Sequence, residues 1–114
     1  MVEEDEATRQ ALQQYVEAGS DLSRPMEMDF FVAVPDQAAG EAVAARAHLL
    51  GFATSVEHDD EDGAWTCYCT KTIVPEYATV VRIERELDRI GREFGGHGDG
   101  FGSFGNAPDP LEVN

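Results

Sequence analysis

Between residues 26 and 34 the chain alternates. Met26, Met28, Phe30, Val32 and Val34 fall on one side of an extended backbone, while Glu27 and Asp29 open the other. A period of two predicts a strand buried on one face. A different period governs residues 75–94, where Val80, Ile83, Leu87, Ile90 and Phe94 recur at steps of three and four. That stripe predicts a helix packed along its whole length, with Pro75 in its first turn. The same reading gives a helix over 3–18 with Ala7, Ala11, Leu12, Tyr15 and Val16 inward, closed by Gly19. A helix from Asp36 to Gly51 follows the first strand, with Asp36 as its cap and Ala39, Val43, Ala47 and Leu50 as its core stripe. Residues 52–58 predict a second strand with Phe52, Thr54 and Val56 on one face. The acidic turn Asp59–Gly63 leads to a third strand over 64–73, with Trp65, Cys67 and Cys69 opposite Thr66, Tyr68 and Thr70. A last strand is expected over about 98–105.

After the first helix the order is β-α-β-β-α-β. This predicts an α+β protein with the ferredoxin-like split arrangement: a four-stranded antiparallel sheet, two helices on one face, and an added N-terminal helix. The expected organisation is an acidic helix over 1–19, a core domain over 26–106 and a tail over 107–114. At 114 residues the chain is long enough for one self-sufficient core.

Charge changes the picture next. There are 23 acidic and 8 basic residues, a net charge of −15, and the basic set is seven Arg and the single Lys71. Self-repulsion at that density disfavours the compact state in dilute buffer and fades in molar salt, where the Debye length is about 3 Å. The composition predicts a salt-adapted protein, and it argues against direct binding to a nucleic-acid backbone. The acidic start Met1–Glu6 and the shortness of the apolar runs predict neither a secretory leader nor a membrane span, and hence a cytoplasmic location.

No set of residues converges on catalysis. Ser20, Ser23, Ser55 and Ser103 lack the surroundings of an activated nucleophile, and His48, His58 and His97 show no metal-ligand spacing. Cys67 and Cys69, two apart in a strand, share a face and read as small half-buried hydrophobes, since a disulfide would oppose that geometry. No enzyme activity, cofactor or metal is expected. The acids at 57 and 59–62 do not match a calcium loop and read as a solvated turn or a docking patch. Arg82, Arg85, Arg89 and Arg92 form a stripe opposite the apolar one, with Arg82–Glu86, Asp88–Arg92 and Arg89–Glu93 as possible pairs.

Gly100, Gly102 and Gly105 spell G-x-G-x-x-G, yet a helix precedes them and only nine residues follow, so no helix could hold a pyrophosphate there. Alternate glycines in a strand mark a bulge or a close backbone approach. They make Asp99–Gly102 a candidate recognition edge, or else let Phe101 and Phe104 settle over the helices.

The acidic first helix ending in Gly19-Ser20-Asp21, the split core, and above all Asp99-Gly100-Phe101-Gly102-Ser103-Phe104 resemble the regulator of ribonuclease E activity B family. In that family a D-G-W-G-T-Y-type last strand follows the second core helix, and Phe101 stands at the Trp position. The resemblance implies a small non-catalytic protein that binds ribonuclease E, largely through its scaffold region, and lowers or redirects its RNA cleavage. The expected partner is therefore a ribonuclease or another RNA-degradation enzyme. Asp59, Asp60, Glu61, Asp62, Asp99, Gly100, Phe101 and Gly102 are the candidate contact residues. The rival expectation is a small-ligand-sensing module, which rests on analogy of fold alone.

Overall fold

A computed structural model describes residues 6–106 of the chain. Its elements run α1 Glu6–Glu17, β1 Met26–Val34, α2 Gln37–Leu49, β2 Ala53–His58, β3 Trp65–Ile73, α3 Tyr77–Glu93 and β4 His97–Gly102. The strands form one sheet in the order β2-β3-β1-β4, and all neighbours are antiparallel. The described residues form an α+β fold, with an open four-stranded antiparallel sheet and three helices.

The alternation of β1 decides where the core lies. Met26, Met28, Phe30 and Val32 are at most 1% exposed. Cys67 pairs with Val32 and Cys69 with Phe30, so β3 presents the same face. Val43 and Ala47 of α2, with Val80, Leu87 and Ile90 of α3, cover that face and complete one cluster. Side chains that small on α2 allow close approach to the sheet: a Cβ at Gly40 would lie 2.7 Å from Val56 Cγ1. Asp36 caps α2 by accepting a hydrogen bond from the Ala39 N–H at 2.8 Å.

Several local expectations shift. Pro75 precedes the α3 cap residue Glu76 and is itself buried, and Glu76 N–H donates to Val74 O, a tight turn that delays the helix to Tyr77. Leu50 is 40% exposed because α2 has ended at Leu49. On α1 the inward residues are Thr8, Leu12 and Tyr15, whereas Ala7 and Val16 face solvent. This helix packs on α3 rather than on the sheet. Thr8 Oγ1 donates to Glu84 Oε1 at 2.6 Å, and the Arg9 guanidinium lies 4.1 Å over the Tyr77 ring. The two cysteines are fully buried and unbridged, with sulfurs 3.9 Å apart. The Cys67 sulfur and burial together push the Cys69 thiol up, which keeps it protonated.

Of the three expected pairs on α3, Asp88–Arg92 forms at 2.8 Å. It has the acid on the N-terminal side, the favoured order at i,i+4. Glu93 instead meets Arg46 of α2 at 3.1 Å, and among the described residues Arg82 and Glu86 make no ion pair.

The glycine segment ends β4 early. Beyond Gly102 the backbone turns to the linker between α1 and β1, where Asn106 acts as a clasp. Its Oδ1 accepts from Asp21 N–H at 2.8 Å, and its Nδ2 donates to the carbonyls of Asp21, Arg24 and Pro25 at 2.9, 3.3 and 3.1 Å. The tail over 107–114 and the first residues of the expected N-terminal helix lie outside the described residues. Among the described residues no helix is long and apolar enough to cross a membrane.

Candidate protein-interaction surface

With both core helices on one side, the other face of the sheet carries Glu27, Asp29, Phe31 and Ala33 of β1 opposite Thr72, Thr70, Tyr68 and Thr66 of β3. At its centre the Phe31 and Tyr68 rings meet edge to face, centroids 5.4 Å apart, both partly exposed. The Tyr68 hydroxyl has no hydrogen-bond partner among the described residues. Ser55 flanks Tyr68 on β2. Asp29 accepts from Thr70 Oγ1 at 2.5 Å.

On β4 the pairing slips between Phe30 and Val32, so Asp99 and Gly100 together stand opposite Phe31. Gly100 has φ +90°, which a side chain would strain, and this accommodates the bulge. The bulge sends neighbouring residues to opposite faces. Phe101 pairs with Phe30 and packs against its ring at 6.0 Å on the helix side. Gly102 lies under Phe31, where a Cβ would press to 3.2 Å from the ring. Phe104, which one of the two sequence readings settled over the helices, is fully exposed.

The acidic turn is held by its own backbone and carboxylates. Asp59 N–H donates to Ala64 O, Asp59 Oδ1 accepts from Glu61 N–H and Asp62 Oδ1 from Ala64 N–H, all at 2.9 Å. Gly63, at φ +73°, closes the turn. His58 stacks on Trp65 at 4.5 Å and its Nδ1 lies 3.1 Å from Asp60 Oδ1. The turn and Asp99 border a single concavity of about 640 Å³ floored by Thr66 and Tyr68. The fold therefore brings Asp59, Asp60, Glu61, Asp62 and Asp99 to one surface, places Gly100 and Gly102 at its edge, and removes Phe101 to the core side.

Glu57, read with the acidic turn as a docking patch, lines this surface, and Thr66, Phe31 and Tyr68 join it without having been singled out. The alternation of β3 had assigned Thr66 and Tyr68 to the face away from the cysteines, but their meeting with Asp99 depends on strand order. Among the described residues no group of three His, Cys, Asp or Glu is arranged to hold a metal ion. One carboxylate near the surface is strongly set: the hydrogen bond from Arg92 and the Gly98 N–H hold Asp88 below the usual carboxylate range.

No curated protein matches the chain. The family model described as regulator of ribonuclease activity B matches residues 5–103, which takes in α1 and every strand and helix after it. The chain belongs to the regulator of ribonuclease activity B family.

Proposed function

We propose that this chain is a non-catalytic, cytoplasmic adaptor that binds a ribonuclease and lowers or redirects its cleavage of RNA. Family membership supports regulation of ribonuclease activity. The observation that carries the binding mode is the gathering of Asp59, Asp60, Glu61, Asp62 and Asp99 around one concavity. RNA-processing enzymes carry Arg/Lys-rich segments, and an acidic surface offers them the complementary potential. The same potential repels RNA, so regulation acts through the enzyme and not through its substrate. We also read the strand order β2-β3-β1-β4 with α2 and α3 on one face as the ferredoxin-like arrangement.

The test replaces Asp59, Asp60, Glu61 and Asp62 with Ser and compares capture of RNA-degradation enzymes from the native host, at native salt, by both versions. Exposed charges mostly govern on-rate and salt dependence, so capture should weaken while the circular dichroism spectrum stays the same. Equal capture would reduce the turn to a solvated loop. Recovery of no nuclease by either version would refute the functional reading.

A further inference from the structure

We propose that the face of the sheet that no described helix covers docks an arginine-rich segment of a protein partner, lying across Phe31 and Tyr68 between the acidic turn and Asp99. This rests on the adaptor reading above and specifies its surface and its ligand chemistry.

Charge placement carries the argument. The face bears Glu27, Asp29, Glu57 and Asp99, with the turn acids at one end. No Lys or Arg occupies a strand position facing this side, and Arg85 of α3 reaches only its β4 edge, beside Phe31, Asp99 and Gly100. Arg9 is on α1, Arg24 in the linker, Arg46 on α2, and four more on α3. Lys71 pairs with Met28 on the core side, where its Nζ donates to Leu50 O. The helix layer, by contrast, is balanced: α3 holds Arg82, Arg85, Arg89 and Arg92 against Glu84, Glu86, Asp88 and Glu93. The negative excess of the folded core is thus concentrated on the side that no described helix covers.

The aromatic pair then selects among cations. A guanidinium is planar, weakly hydrated and able to stack on a ring while donating to carboxylates at its edge; an ammonium is a hydrated point charge. Phe31 and Tyr68 offer partly exposed rings, the Tyr68 hydroxyl is unpartnered among the described residues, and carboxylates stand on either side. Thr66, Thr70 and Thr72 supply the rest of this face on β3, so no charge of either sign interrupts that strand's side of the path.

The experiment titrates the isotope-labelled full chain with a short arginine-rich peptide and its lysine counterpart, at about 0.15 M salt to limit long-range attraction. Amide signals of Phe31, Thr66, Tyr68 and Asp99 should shift most, and the arginine peptide should bind at least about threefold more tightly. Tyr68→Thr, which keeps a strand-compatible side chain, should remove that preference while changing lysine-peptide affinity less than about twofold. Should that variant not fold, Ser55→Arg, on an exposed position beside Tyr68, should weaken both peptides. Equal affinity for the two peptides, shifts centred on α3, or self-association that buries the same amides would each overturn the proposal. Ribonuclease capture without an arginine preference overturns this inference and leaves the adaptor reading standing. An arginine preference on this face with no ribonuclease recovered supports the surface and removes the reading it was built on.

Discussion

Asp88 of α3 and Gly98 of β4 are joined by a hydrogen bond from the Gly98 N–H to Asp88 Oδ1 at 2.8 Å, while the other carboxylate oxygen receives Arg92 Nε at the same distance. One side chain thereby ties the edge strand to the helix beneath it. The approach is close: a Cβ at 98 would sit 3.1 Å from Asp88 Cβ, so helix or strand would have to give by a few tenths of an ångström.

That link has a pH signature. Asp88 is held below its ordinary value of 3.8 when folded, first by the Arg92 hydrogen bond and also by Gly98. Its contribution is complete above the unfolded pKa and fades as pH falls through the lowered folded value. Asp88→Asn should therefore be destabilising by an amount that is constant from neutral pH down to about pH 5 and shrinks in stronger acid. Chemical denaturation of both proteins across pH 2–7 measures it; a difference that grows on acidification would contradict the assignment.

The core makes a simpler prediction. Leu87 is 2% exposed within the cluster over the sheet. Leu87→Ala should cost about 2–5 kcal/mol in urea unfolding. A loss under about 1 kcal/mol would mean that the α3 stripe does not cover the core.

Two glycines separate two kinds of constraint. At Gly100 the backbone has φ +90° but a Cβ would meet nothing within 4 Å. Gly100→Ala should cost roughly 1 kcal/mol from backbone strain alone. At Gly96 a Cβ would collide with Ala33 O at 2.1 Å. Gly96→Ala should be clearly the more damaging of the two, and thermal melts in parallel decide the order.

Salt tests the origin of the acidity. If repulsion within the net −15 chain limits stability, the melting temperature should climb steeply between about 0.1 and 2 M KCl. A flat response would reject salt adaptation.

The sequence made legible what depends on neighbours in the chain. Strand β1 follows its alternation from Met26 to Val34, α3 buries Val80, Leu87 and Ile90 of its predicted stripe while Ile83 and Phe94 are partly buried, and Asp36 caps α2 as its residue type requires. What escaped depends on distant partners. Glu93 reaches Arg46 on another helix instead of Arg89 on its own, and Phe104 finds no surface to cover once Asn106 draws the backbone toward the linker. The candidate contact residues were divided by one bulge, which sent Asp99 and Phe101 to opposite faces. Nothing in the spacing of Asp99 from Asp62 discloses that they border the same concavity.

The contrast between a balanced α3 and a sheet face bordered by the turn acids and Asp99 gives the folded core an electric moment as well as a net charge. A cationic partner approaching at low ionic strength feels a torque that turns the sheet face toward it before contact. Near physiological salt that guidance reaches only about 8 Å, and in molar salt about 3 Å. In concentrated salt so short a reach leaves orientation at a distance negligible, and binding to this face would rest on the stacking and hydrogen bonding of groups already touching.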